Sequence, residues 1–161
     1  MKSTTLAFCQ IEYASPEYDD SLRLRYRILR APLGLDYTEE QIIEEWDSYH
    51  FGIYDQNQFL KACLTFKAID EHTLKMRQVV VDQDVQGQGL GKILVSQAEH
   101  WALNQGFKNI ELHARDTAVP FYLSMDYIAE GAPFVEVGIA HQKMEKHISQ
   151  QLKKYKKKDE K

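Results

Sequence analysis

The run Val79-Val80-Val81-Asp82-Gln83-Asp84-Val85-Gln86-Gly87-Gln88-Gly89-Leu90-Gly91-Lys92 decides the fold. Its valines close a strand pattern that begins at Thr73 and alternates at Leu74 and Met76, and three in a row imply burial on both faces or a bulge. Glycines at alternate positions 87, 89 and 91 let the backbone turn sharply and present several N–H groups outward. Behind them Leu90, Ile93, Leu94, Gln97, Ala98, Trp101 and Ala102 keep helical spacing within 87–105, with Gly106 as the stop. Ile110, Leu112 and Ala114 then alternate with Glu111, His113 and Arg115 as a strand. A strand, a helix and a second strand in this order form a crossover unit whose two strands run parallel.

A glycine-rich turn backed by a helix N-terminus, which adds roughly half a positive charge, is an anion cradle sized for a phosphate or pyrophosphate. The spacing excludes two common users of such a cradle. A Walker A loop needs four residues between its first glycine and Gly-Lys-Ser/Thr, and dinucleotide folds need G-x-G-x-x-G, so ATP and NAD both lose ground. The same turn would also serve to pack a helix closely on a sheet.

Towards the N-terminus, residues 3–13 read as a first strand. Ser15-Pro16-Glu17 supplies a cap, a proline at the first helical position and an acid in the first turn, so a helix starts there. Tyr18, Leu22, Tyr26 and Leu29 continue at helical spacing, although Leu22, Leu24, Tyr26 and Ile28 also alternate as a strand would. Thr38 and Gln41 form a capping box, which predicts a short helix through Ile42, Ile43 and Trp46. Strand patterns over 49–54 and 59–69, joined by the polar turn 55–58, predict a β-hairpin. Thr73 to Val81 makes a third antiparallel strand. Towards the C-terminus come a short helix over 118–125 and strands near 127–130 and 139–148. The fold class is therefore α/β (α+β), with a mixed, largely antiparallel sheet and helices on both faces.

At 161 residues the chain suits one domain, here 1–149, followed by a lysine-rich tail over 150–161. The net charge of −4 hides an asymmetry, because eight lysines against Glu145, Asp159 and Glu160 make 143–161 basic and leave the preceding residues strongly acidic. An acidic body repels nucleic acid and favours amine-bearing ligands, while the tail alone could touch RNA or anionic lipid. No apolar run approaches the roughly 20 residues of a membrane span, and residues 6–9 are too short for a signal core, so a cytoplasmic setting is expected. Cys9 and Cys63 lack metal-ligand spacing, which encodes neither a disulfide framework nor a metal site and leaves Cys63 a core residue.

From Gln86 to Gly91 the sequence resembles the Q/R-x-x-G-x-G/A motif of the GNAT superfamily of acetyl-CoA-dependent N-acetyltransferases. A second family motif, N-x-x-A-x-x-F/L-Y-x-x-x-G-F, is matched from Arg115 to Tyr127, with Arg115 in place of Asn and Asp126 in place of Gly. Asp is among the residues that enter left-handed backbone most readily. The segment from Glu136 to Met144 is similar to the E-x-G-I-x-H-x-x-M ending of ElaA-like GNAT proteins. The resemblance is specific from about Thr73 to Lys146 and general before that.

It implies a GNAT-like fold and acetyl-CoA as acyl donor, held along Gln86, Gly87, Gln88, Gly89, Leu90, Gly91 and Lys92, with Val79 and Val81 meeting its thioester end through their backbone. The implied reaction is direct attack of a primary amine, on a small molecule or peptide, at the thioester. Tyr122 matches the family tyrosine that acts as general acid, and Glu136 and His141 border the acetyl end as candidate bases, with Glu111 and His113 as alternatives. An attacking amine must be neutral and a departing thiolate is helped by a proton donor, which is the chemistry these groups supply. Glu39, Glu40, Glu44 and Glu45 could attract a cationic acceptor, whereas Arg23, Arg25, Arg27 and Arg30 suit an anionic one or contacts within the protein. A homodimer is left open, and a non-catalytic acyl-CoA sensor is the alternative function. Acetyl-CoA is expected to raise the melting temperature by mass action while NAD and ATP give no comparable shift. A shift for NAD equal to that for acetyl-CoA, read by differential scanning fluorimetry, contradicts the spacing argument.

Overall fold

Seven strands form one sheet in the order β1-β2-β3-β4-β5-β7-β6. They are β1 (Ala7–Ile11), β2 (Tyr49–Tyr54), β3 (Leu60–Ala68), β4 (Thr73–Val81), β5 (Asn109–Arg115), β6 (Ile128–Glu136) and β7 (Ile139–His147). Among the described residues four α-helices accompany them: α1 (Pro16–Arg25), α2 (Glu39–Ile43), α3 (Leu90–Asn104) and α4 (Val119–Ser124). The computed structural model describes residues 5–149, so the expected tail over 150–161 lies outside the described residues. The hairpin β2–β3 is antiparallel and β4–β5 is parallel around α3, as the sequence predicts. The described chain falls into two compact units. One comprises the residues up to Lys67 with Gln78–Ala98, and the other Ala68–Arg77 with the residues from Glu99 on.

In the first unit, Ser15 caps α1 by accepting from the Tyr18 N–H, and Pro16 occupies the first turn. Past Arg25 the helix does not continue as α. It widens into one π turn over Tyr26–Arg30, with the Ala31 N–H bonded to the Tyr26 carbonyl. The fully buried residues are Tyr18, Ser21, Leu24 and Arg25, and of the predicted Tyr18-Leu22-Tyr26-Leu29 face Leu22 and Leu29 pack against the core while Tyr26, 42% exposed, does not. Arg25 is 1% exposed and forms two bonds to Glu45, Nη1 to Oε1 at 2.8 Å and Nη2 to Oε2 at 2.5 Å. Tyr18 donates to the same carboxylate at 2.7 Å, and His50 Nε2 meets the Glu45 carbonyl at 3.1 Å.

Glu45 reaches this position because α2, opened by the predicted Thr38–Gln41 capping box, stops early. After Ile43 the chain tightens into turns bonded Glu45 N–H to Ile42 and Trp46 N–H to Ile43, which leaves Trp46 67% exposed and outside the predicted helix. Ile11, Tyr18, Leu24, Leu60, Cys63 and Val80 form the core beside this network. Burial pushes the Cys63 thiol up to about 12, as an inert core thiol requires.

In the second unit, β5 alternates cleanly, with Ile110, Leu112 and Ala114 inward, and Thr73–Met76 of β4 pair with Asn109–Leu112 in register. The helices α3 and α4 end on the same device. Phe107 N–H bonds to the Ala102 carbonyl and Gly106 N–H to Leu103, while Tyr127 N–H bonds to Tyr122 and Asp126 N–H to Leu123. Both are Schellman closures that need a left-handed residue, supplied by Gly106 at φ +96° and by Asp126 at φ +70°. The buried face of α3 is Leu90, Leu94, Val95, Ala98, Glu99 and Ala102, whereas Ile93 is 42% exposed. The predicted stripe is therefore rotated towards Val95 and Glu99, because Glu99 binds Lys146 inside the unit at 3.0 Å.

Burial opposes charge on Glu45, but the bonds and charge of Arg25 hold its carboxyl below the usual range. A carboxyl whose folded value is depressed adds stability above its unfolded value and loses it as pH falls through the folded value. Glu45→Gln, which leaves Arg25 buried without its counter-charge, is expected to cost about 3–5 kcal/mol at pH 7. The cost shrinks as pH drops below the ordinary glutamate value. Urea unfolding across pH 3–7 checks this, and a pH-independent difference between the two proteins contradicts it.

Candidate functional site

The anion cradle belongs to the first unit. Strand β4 changes character at Gln78, where φ is +56° and the side chain accepts from the Tyr37 hydroxyl at 2.8 Å. Beyond this irregularity Val80 is buried while Val79 and Val81 are only partly so. The three valines thus reflect a bulge with ordinary alternation after it. Asp82 then starts a single 3-10 turn over Gln83–Val85, which Lys61 braces through a 2.8 Å bond to Asp84. The Gln86 side chain donates back to the Val81 carbonyl at 3.0 Å, tying the start of the loop to the strand end.

Gly87 and Gly89 adopt φ +80° and +83°. A Cβ built on either would meet nothing within 4 Å, so dihedral freedom and not crowding is what demands glycine there. The first intrahelical bond of α3 runs from the Ile93 N–H to the Gly89 carbonyl. The N–H groups of Gly89, Leu90, Gly91 and Lys92 therefore have no acceptor within the helix. Gln86, Gly87, Gln88 and Gly89 are exposed, and Leu90, 5% exposed, anchors the turn beneath. The cradle fits a diphosphate: open N–H donors on one side, a helix N-terminus behind, and no side chain filling it.

The four arginines of α1 and the π turn each have a partner within the unit. Arg23 binds Asp20, Arg25 binds Glu45, Arg27 reaches Asp82 at 3.2 Å, and the Arg30 guanidinium lies 4.4 Å from the centre of the Tyr37 ring. Of the four acids on and after α2, Glu45 is consumed by Arg25, while Glu39, Glu40 and Glu44 are exposed. A groove of about 940 Å³ in this unit is lined by four aspartates, Asp20, Asp36, Asp82 and Asp84, against Arg23, Arg27 and Lys61, with Tyr26, Tyr37 and Phe59 as aromatic walls.

The second unit holds the candidate acid and bases. Tyr122 on α4 is 6% exposed and packs edge-on against Phe121 and Tyr127 at 5.0 and 5.6 Å. Burial raises its hydroxyl well above the usual range, so it is protonated at neutral pH. Tyr127 is fixed in turn by a 2.8 Å bond to Glu99, whose carboxylate also accepts from Lys146 at 3.0 and 3.1 Å. Lys146 also lies over the Tyr127 ring at 5.4 Å. Sequence reasoning missed this triad. The signal for Lys146 was its place in the inward alternation Met144, Lys146, Ile148, and for Glu99 its place on the apolar face between Val95 and Ala102.

The structure brings three of the four candidate bases together. His113 Nδ1 lies 3.0 Å from Glu136 Oε2, and Phe134 contacts His113 edge-on at 4.9 Å and stacks on His141 at 5.9 Å. His141 Nδ1 is bonded to the Ile139 carbonyl at 2.8 Å. Glu111 instead faces Lys143 at 3.8 Å. Among the described residues no cluster of three or more metal-binding side chains occurs, and no helix is long and apolar enough to cross a membrane.

Residues 34–148 match the acetyltransferase (GNAT) domain family. The chain belongs to this GNAT family. YyaT of Bacillus subtilis (strain 168) is 30% identical over 128 residues, which span 72% of this chain and 84% of that protein. The fold is that of the family: Escherichia coli ElaA superposes with a TM-score of 0.75 at 19% identity, over 89% of this chain and 100% of its own. The spermidine N-acetyltransferase of Vibrio cholerae, solved with CoA and spermine, gives 0.69 at 16% identity, over 89% and 96%. The protein is thus an acyltransferase that draws on an acyl-CoA.

Gly89→Glu places both a side chain and a negative charge in the cradle at a left-handed position. It is expected to abolish the thermal shift given by acetyl-CoA. A folded Gly89→Glu protein that binds acetyl-CoA with unchanged affinity by calorimetry refutes the cradle assignment.

Proposed function

We propose that this GNAT protein transfers the acetyl group of acetyl-CoA to a primary amine of a small molecule or peptide, in the cytoplasm. The observation that carries the reading is the open run of backbone donors from Gly89 to Lys92, pre-shaped for a diphosphate at the head of α3. Bound there, the donor supplies an activated thioester; the remaining work falls to the chain's own groups. The N–H groups of Gly89, Leu90 and Gly91 hold the diphosphate, and the backbone of the half-buried Val79 and Val81 orients the arm that follows it. Tyr122, buried and protonated, holds a proton for the departing sulfur. Among the described residues no hydrogen bond occupies its hydroxyl, which leaves that proton available.

The acidic composition supports an amine acceptor, since a cation approaches such a surface faster than an anion does. The two free thiols, Cys9 and Cys63, suit a reducing compartment. The deciding experiment follows thiol release from acetyl-CoA with spermidine, an aminoglycoside and a lysine-containing peptide as acceptors. Turnover with an amine supports the reading, whereas tight acetyl-CoA binding without turnover on any amine favours an acyl-CoA sensor. With a competent amine in hand, Tyr122→Phe is expected to slow the single-turnover step by about 10²- to 10⁴-fold while leaving acetyl-CoA affinity nearly unchanged. A loss of less than about threefold assigns Tyr122 to packing.

A further inference from the structure

Strands β5, β6 and β7 place several polar groups on one face of the second unit, because Arg115 pairs with His141, His113 with Lys143, and Phe134 with His141. His113 and Glu136 are 23 residues apart in sequence, yet Nδ1 and Oε2 meet at 3.0 Å. Phe134 lies edge-on to the imidazole at 4.9 Å and limits its rotation. A carboxylate accepts only, so the hydrogen between the two belongs to His113 Nδ1. In the neutral ring this fixes the tautomer and leaves the Nε2 lone pair free.

Glu136 spends an oxygen on His113 and Glu111 faces Lys143. His141 Nδ1 on the Ile139 carbonyl fixes the same tautomer, but that ring is 9% exposed and stacked on Phe134, so burial is what separates it from His113. The His113 side chain retains 30% exposure, and among the described residues nothing bonds to its Nε2. We propose that His113 takes the proton of the acceptor amine at Nε2 and that Glu136 is its positioning residue. The proposal rests on the acetyl-transfer reading above and names the groups that serve it.

An ammonium acceptor gives one proton to His113 Nε2 and becomes a nucleophilic amine, and His113 passes that proton to solvent. As the N–C bond forms and the C–S bond breaks, the nitrogen releases a second proton, and the sulfur leaves with the bonding pair and acquires one. The sum is an ammonium and a thioester giving an amide, a thiol and one proton, with no oxidant or other reactant.

Two readouts on the full chain test this. The first needs no acceptor: ¹⁵N shifts of the His113 ring in neutral form are expected to report a proton on Nδ1 in the unsubstituted protein and a mixture of tautomers in Glu136→Ala. The second uses acetyl-CoA and whichever of spermidine, the aminoglycoside or the peptide turns over. His113→Ala is expected to slow single turnover by about 10²- to 10⁴-fold and to be partly rescued by free imidazole, and Glu136→Ala to lower kcat by about tenfold with KM little changed. A proton on Nε2 in the unsubstituted protein, a tautomer insensitive to Glu136→Ala, or a His113→Ala protein within threefold of normal overturns the assignment. If no amine turns over, the amine-acetylation reading fails on its own, and the ring shifts still decide whether Glu136 positions His113.

Discussion

The left-handed backbone at Gly87 and Gly89 is the constraint on which the functional half of the chain depends. It turns β4 into α3 within a few residues and leaves the helix N-terminus uncovered, so that unbonded N–H groups face outward together. A side chain at either position would be strained regardless of space, since the space around each is open to 4 Å and the cost lies in the dihedral alone. A diphosphate bound there would satisfy donors that the helix itself cannot.

Each unit also contains a sequestered ion pair, and each pair holds an aromatic neighbour in place. Arg25 and Glu45 join α1 to the turns after α2, and the arginine lies 4.9 Å from the centre of the Tyr37 ring, whose hydroxyl bonds Gln78 at the irregularity in β4. Glu99 and Lys146, each with a side chain 5% exposed, hold Tyr127, and Tyr127 packs on Tyr122. Such pairs are poor sources of net stability, because desolvation offsets most of the attraction. Their geometric effect is the more useful one: a bidentate or bifurcated bond allows few orientations, and the aromatic rings they support inherit that precision.

Local signals were legible in the sequence because their chemistry is local. The Ser15 cap, the Thr38–Gln41 box, the hairpin β2–β3 and the left-handed Asp126 all depend on residues within a few positions of one another. The buried faces of α1 and α3 each include a charged residue, Arg25 or Glu99, that apolar periodicity scores as outward. Their partners lie 20 and 47 residues away, beyond the reach of any window. The candidate bases illustrate the same limit: four were visible by residue type, but only the pairing of β5, β6 and β7 brings Glu136 to His113 and leaves Glu111 to Lys143.

The most direct test of the central claim is a backbone amide map of the full chain titrated with CoA. The account places the largest ¹H–¹⁵N shifts at Gly87, Gly89, Leu90, Gly91 and Lys92, where unbonded N–H groups gain acceptors, with smaller changes at Val79 and Val81. Saturable CoA binding that shifts other amides and leaves 87–92 unmoved contradicts it.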